Sequence, residues 1–94
     1  MIKKYTVTAQ GEGRLDIVSR ISMLFLQRHI EVESLTFQPL EGAQSQYQVC
    51  AVAREETIRK VVAQMQHIEG LQTIAYEYSL RDCGRSNLFD QIKL

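Results

Sequence analysis

The sequence lacks the features that mark several large classes of protein. Its 94 residues include no tryptophan, one proline and two cysteines, and 11 basic side chains balance 11 acidic ones. This balanced charge argues against a protein that binds nucleic-acid phosphates or anionic membrane surfaces. No apolar run approaches the roughly 18 residues of a membrane helix, and the N-terminus shows no stretch of signal-peptide length. We therefore expect a cytoplasmic protein that binds neither nucleic acid nor membrane.

The cysteines and histidines show no metal-binding pattern. Cys50 and Cys83 lie far apart in the chain and form no CxxC motif, and there are only two histidines. Zinc sites usually require four such ligands at short spacings. We expect two free thiols in a reducing compartment, with no metal and no cofactor.

Hydrophobic periodicity predicts an α+β fold. Hydrophobic residues make up 45% of the chain, which is enough for one small core. Alternating stretches indicate strands, and apolar residues at i, i+3, i+4 and i+7 indicate helices. The predicted elements are strand 5–9, a helix from 15 to 27–29, strand 31–37, strand 46–53, a helix that starts at 54–57 and whose apolar positions continue to 68, and strand 71–79. In this reading Pro39 stops the second strand, and Gly70 ends the second helix.

The order β-α-β-β-α-β has a compact solution. It is a ferredoxin-like sandwich, with a four-stranded antiparallel sheet and two helices on one face. The other face of the sheet is left for water, a ligand or another chain. We assign residues 1–80 to this domain and residues 81–94 to a C-terminal tail. In the tail, Leu88, Phe89 and Ile92 either anchor on a neighbouring chain or belong to a solvated end.

Motifs for catalysis or nucleotide binding are weak. Gly11 and Gly13 are similar to the start of a dinucleotide fingerprint, but Asp16 occupies the third glycine position and the chain is too short for that domain. His29 and His67 fit helix ends better than catalytic roles. No nucleophile and base stand together in sequence, so we expect no enzymatic activity.

Two tyrosines admit an alternative. Ferredoxin-like sheets that bind RNA carry exposed aromatic residues on their central strands. Tyr5 and Tyr47 lie on predicted strands and are candidates to stack on bases, or to pack at an interface. The zero net charge favours the interface.

The turn over residues 10–15 is the most suggestive segment. A glycine-rich connection between a strand and a helix exposes backbone N–H groups, which bind carboxylates or phosphates without side-chain help. The alternative is a plain turn that uses glycine for its conformational freedom.

The segment over residues 12–39 resembles an ACT domain, and most closely the small regulatory subunit of acetolactate synthase. That family typically reads Glu-Asn-x-Pro-Gly-Val-Leu-x-Arg-Val-x-x-Leu-Phe, then Arg-Arg-Gly-x-Asn-Ile-Glu-Ser-Leu-x-x-x-Pro. The positions that match without a gap are Arg20, Leu24, Phe25, Arg28, Glu33, Ser34, Leu35 and Pro39. The resemblance covers about residues 3–79, and its most specific part is the Glu-Ser-Leu segment.

The resemblance implies a non-catalytic regulatory subunit. Such subunits pair side by side through a sheet edge, and they activate a large thiamine-diphosphate-dependent catalytic subunit. They also confer feedback inhibition by valine or another branched-chain amino acid. The effector contacts the loop between the first strand and the first helix. Carried onto this chain, the candidate effector-binding residues are Gln10, Gly11, Glu12, Gly13, Arg14, Leu15, Asp16 and Ile17.

This chain departs from the family at that loop. The family's Asn, Pro and Gly fall on Gly13, Leu15 and Asp16. Asp16 adds a negative charge where an effector carboxylate is expected to dock, which weakens such binding. Two alternatives stay open: a stand-alone amino-acid-sensing ACT protein, and a ferredoxin-like dimerisation module without a ligand.

Overall fold

The computed structural model describes residues 2–78, which form six elements joined by short connections. In chain order these are β1 (Ile2–Glu12), α1 (Leu15–Gln27), β2 (Glu31–Pro39), β3 (Gln44–Arg54), α2 (Glu55–Met65) and β4 (Leu71–Tyr78). The strands form one antiparallel sheet in the order β2-β3-β1-β4. The predicted ferredoxin-like fold class is confirmed. The predicted tail and the boundary at residue 80 lie outside the described residues.

One face of the sheet carries the core. Alternate residues of β1 and β3 point towards the helices, and each helix buries one apolar stripe against them. The largest side chains that are fully buried are Tyr47, Phe25, Ile17, Ile21, Ile58, Met65, Val7, Val49 and Val61. The predicted helical stripes are therefore the faces that pack.

The first helix ends in a Schellman motif with an unusual residue. The N–H of His29 donates to the carbonyl of Leu26 at 2.9 Å, and the N–H of Ile30 donates to that of Phe25 at 3.1 Å. His29 takes the left-handed conformation, with φ 55°, where glycine is the usual choice. Ile30 and Phe25 are both buried, as the hydrophobic contact of this motif requires.

Three predicted boundaries were wrong. β1 continues to Glu12 because its pairing with β3 extends to Gln44, so residues 10–12 belong to a strand and not to a loop. α2 ends at Met65, three residues before the last apolar position of its pattern. Gly70 is not the residue that ends the helix: it has φ 103° and directly precedes β4. Ile68 is buried from the turn between them, which explains why it fitted the helical period.

The outer face of the sheet is polar. In the register of the sheet, Thr8 on β1 pairs with Gln48 on β3, and Gln10 pairs with Gln46; the side-chain amide of Gln10 donates to that of Gln46 at 3.2 Å. Tyr5 and Tyr47 instead lie on the helix-covered face, 5% and 0% exposed. The expectation that they are available to stack on bases or to form an interface is wrong, because their strand parity places both in the core.

Cys50 lies on β3 and is disulfide-bonded. The expectation of a free thiol at Cys50 is therefore wrong, because the position of a cysteine in the sequence does not report its oxidation state, and Cys83 lies outside the described residues. Within residues 2–78, neither helix has the length and apolarity that crossing a membrane demands.

Candidate functional site

A buried tyrosine on β3 supports the connection between β1 and α1. The ring of Tyr47 is fully buried under this connection, and its hydroxyl reaches the chain at the surface. The hydroxyl donates to the carbonyl of Glu12 and accepts from the N–H of Arg14 at 3.1 Å. A buried tyrosine usually finds such partners for its polar end. One side chain thus fixes the last residue of the strand and the residue that caps the helix.

Two glycines allow the connection to pack closely. A Cβ at Gly11 would collide with the carbonyl oxygen of Gly70 and come within 2.8 Å of the Cα of Leu71. The register between β1 and β4 shifts at this point, which is the signature of a bulge. A Cβ at Gly13 would collide with the hydroxyl of Ser45. At Gly11 the close approach of neighbouring backbone requires glycine, whereas a side chain at Gly13 would require the Ser45 side chain to shift.

Arg14 forms ion pairs with the carboxylates of the connection. The guanidinium of Arg14 bonds both carboxylate oxygens of Asp16, at 3.0 and 3.1 Å, in a bidentate pair. It also bonds the carboxylate of Glu12 at 2.9 Å and the backbone carbonyl of Glu69 at 3.2 Å. The Nε of Arg20 lies 3.9 Å from the Oδ2 of Asp16. We call Glu12, Arg14, Asp16 and Arg20 the loop ion cluster; its formal charges sum to zero.

The ion pairs shift the pKa values of their members. The hydrogen bonds from Arg14 hold the pKa of Asp16 below its ordinary value, and a bond from the Asp16 backbone N–H acts in the same direction. The pKa of Arg14 is raised by its hydrogen bond to Asp16. Asp16 is therefore ionised at neutral pH, and its carboxylate occupies the start of α1, where the helix dipole favours a negative charge.

The eight predicted effector residues are not all brought together. Gln10 points to the outer face of the sheet, where it bonds Gln46. Ile17 is fully buried in the core. Leu15 projects outward and is 78% exposed. What remains at the connection is the backbone over residues 11–14 with the side chains of Glu12, Arg14 and Asp16.

Sequence reasoning missed the residues that support the connection from other elements. Tyr47 on β3, Ser45 beside Gly13, and the turn at Glu69 and Gly70 all contact it. The available signal was Tyr47 itself, because it is a large residue at the start of a row of small apolar residues on a buried strand, and its hydroxyl requires a partner.

The carboxylates of the loop ion cluster are held in ion pairs. Within residues 2–78, no group of three His, Cys, Asp or Glu side chains is placed to hold a metal ion. The loop ion cluster is exposed and charge-neutral, and its carboxylates are bonded to cations. An ionised carboxylate in such a pair is a poor general acid at neutral pH.

No family model and no curated protein matches the sequence. Among solved structures, the chain is similar to the C-terminal domain of the MgtC protein from Mycobacterium tuberculosis, with TM-score 0.73, 10% identity, and coverage of 83% of this chain and 88% of that one. It is similar to the ACT domain from GTP pyrophosphokinase of Chlorobium tepidum, with TM-score 0.69, 6% identity, and coverage of 82% and 100%. It is also similar to the acetolactate synthase small subunit from Thermotoga maritima, with TM-score 0.70, 13% identity, and coverage of 97% and 66%. The fold is thus ACT-like.

Proposed function

We propose that this chain is a non-catalytic regulatory subunit of an acetolactate synthase, acting in branched-chain amino acid biosynthesis. The observation that carries the proposal is the match of nearly the whole chain, 97%, to a small subunit of that enzyme. The ungapped agreement of Arg20, Arg28 and the Glu33-Ser34-Leu35 segment with the family's pattern supports it independently. The cytoplasmic location remains a prediction, and a disulfide at Cys50 is unusual in a reducing compartment.

We further propose that two copies pair through the edge strand β2. On the side away from β3, the nine residues of β2 have no neighbouring strand among residues 2–78, and such an edge is a template for pairing. An apolar groove of about 370 Å³ runs beside it, between α1 and the sheet. Leu26 and Val32 line this groove and are 65% and 41% exposed. Pairing of two β2 strands would cover them.

A lysine on the edge strand tests this arrangement. We expect Val32→Lys to shift sedimentation from dimer to monomer, because a charged side chain on an edge strand disfavours pairing. Thr73→Lys on β4, the opposite edge, is the matched control and should leave the dimer intact. A monomeric parent chain, or dissociation by the β4 variant alone, contradicts pairing through β2.

Effector binding at the β1–α1 connection faces an internal competitor. An amino-acid carboxylate docking at the start of α1 meets the Asp16 carboxylate, which already bonds Arg14 and its own backbone N–H. Inhibition through this loop therefore requires Asp16 to leave that position. We expect valine to inhibit the assembled enzyme more strongly when Asp16→Asn removes the competing charge.

The test of the subunit assignment is assembly. The purified chain is mixed with the catalytic subunit of its own organism, and the mixture is separated by size-exclusion chromatography. Co-elution of the two, with acetolactate formation that responds to the chain, supports the proposal. Separate elution with unaltered activity refutes it and favours a second candidate, a dimerisation module without a ligand. The neutral, internally bonded loop ion cluster is the observation that speaks for that candidate.

A further inference from the structure

A second cleft lies at the end of the sheet opposite to the β1–α1 connection. Its volume is about 350 Å³. It forms because β2 starts opposite Val52, so the last two residues of β3 have no strand beside them on that side within the described part of the chain. The end of α1 and the start of α2 close its flanks. We call it the basic cleft, after Arg28 and Arg54 in its lining, which also includes His29.

The charge of this cleft is of one sign. Among the described residues, its lining includes two arginines and a histidine but no carboxylate. Arg54 is exposed, and among residues 2–78 it makes no side-chain hydrogen bond or ion pair. Arg28 donates from Nε to the side-chain oxygen of Gln64 at 3.1 Å, which orients its guanidinium and leaves the terminal nitrogens available.

Neighbouring acids form no ion pair with Arg54. Glu55 and Glu56 follow Arg54 in sequence and line another cleft, on the other side of the first turn of α2. Arg54 borders that cleft as well, but it makes no hydrogen bond or ion pair with either acid. There Glu55 accepts hydrogen bonds from Arg59 at 3.2 Å and from the hydroxyl of Tyr76 at 3.3 Å. The guanidinium of Arg59 therefore has a carboxylate partner, whereas that of Arg54 has none among residues 2–78.

The basic cleft also offers a hydroxyl and an apolar wall. Thr57 lies in the first turn of α2 and adds a hydroxyl donor. Ile2 and Val52 line the same cleft, and Ile2 is 62% exposed. An exposed isoleucine beside cations that have no carboxylate partner suits a ligand with a charged head and a short apolar body.

We propose that the basic cleft binds a small carboxylate with a short aliphatic body. The carboxylate would accept hydrogen bonds from Arg54, Arg28 and Thr57, and the aliphatic part would cover Ile2. Guanidinium groups match the planar geometry of a carboxylate, and charge-assisted bonds are the strong ones. This site is separate from the loop ion cluster and does not depend on the proposed function.

The test is a titration of the full chain followed by amide NMR shifts, at constant ionic strength. The probes are butyrate, acetate and inorganic phosphate. We expect saturable shifts at residues 54–57, with butyrate binding more tightly than acetate by roughly fourfold for each extra methylene that is buried. Arg54→Gln should weaken butyrate binding by about tenfold or more. Lys60→Gln changes the net charge equally on an exposed residue of α2 outside the cleft, and should leave affinity unchanged.

Several outcomes would overturn the proposal. They are shifts that do not saturate, phosphate binding more tightly than butyrate, and an equal loss of affinity in both variants. The last result would report net charge and not a site. Far-UV circular dichroism of both variants checks that the fold is kept, and Thr57→Val provides a second, uncharged variant that should also weaken butyrate.

Discussion

Removing the hydroxyl of Tyr47 should loosen the β1–α1 connection without disturbing the core. Tyr47→Phe keeps the buried ring but deletes the bonds to the carbonyl of Glu12 and the N–H of Arg14. Each intramolecular hydrogen bond contributes about 0.5–1.5 kcal/mol net, so the loss of two should lower the free energy of unfolding by about 1–3 kcal/mol. For a domain of this size, that corresponds to a drop in Tm of roughly 10 °C.

The assay is urea unfolding followed by circular dichroism, with amide hydrogen exchange as a local readout. We expect the amide of Arg14 to lose protection in the variant, because its acceptor is the deleted oxygen. Tyr78→Phe is the matched control, since the Tyr78 hydroxyl makes no hydrogen bond with any of residues 2–78. Equal stability of Tyr47→Phe and the parent, with Arg14 exchange unchanged, would refute the role of Tyr47.

Three further substitutions test the backbone and the charges. His29→Gly should stabilise the domain by about 0.5–1 kcal/mol, because the relief of left-handed strain exceeds the entropic cost of a more flexible unfolded chain. His67→Gly changes a position without positive φ and should not stabilise the domain. The urea midpoints of the two variants test this difference. Gly11→Ala should cost at least about 2 kcal/mol through its backbone collision, against about 1 kcal/mol for Gly42→Ala in open space; equal costs would contradict the close approach. Because the pKa of Asp16 is lowered from its ordinary value of 3.8, the ion pair stabilises the fold above pH 3.8 and ceases to do so as the pH falls through the folded-state pKa. The urea midpoint of Asp16→Asn should therefore lie below that of the parent at neutral pH and equal it in strong acid. A difference in midpoint that persists in acid would contradict the ion pair.

The fold was predictable because its periodicities are clean. The core-facing residues of β3 alternate from Tyr47 to Ala53, although Cys50 between them is buried too. The buried residues of α1 recur at Ile17, Ile21 and Phe25. Each pattern reports which face is removed from water, and that quantity dominates folding. The order of such segments leaves few compact topologies, so the sandwich followed from the pattern.

The ends of elements were less predictable because distant contacts set them. β1 runs to Glu12 only because Gln44 pairs with it from 32 residues away. α2 stops at Met65 although Ile68 continues the helical pattern, since Ile68 is buried from a turn. Pairing and turn geometry of this kind leave little trace in local sequence.

The candidate site was predictable only in part. The sequence predicted a glycine-bearing turn over residues 10–15, whereas the structure leaves only residues 13–14 between β1 and α1. Asp16 was recognised as a charge at the start of the helix. That Arg14 holds Asp16 in a bidentate pair was not evident, because the resemblance to the family carries no information at positions where this chain departs from it. The support from Tyr47 arises through tertiary packing, 33 residues along the chain from Arg14.

The rate of acetolactate formation by the catalytic subunit, measured as this chain is added, tests the central claim most directly. If the chain works through association and holds no chemistry of its own, the rate should rise to a plateau at a fixed ratio of the two proteins. The chain alone should form no acetolactate. A rate that stays flat at every ratio would contradict the regulatory role.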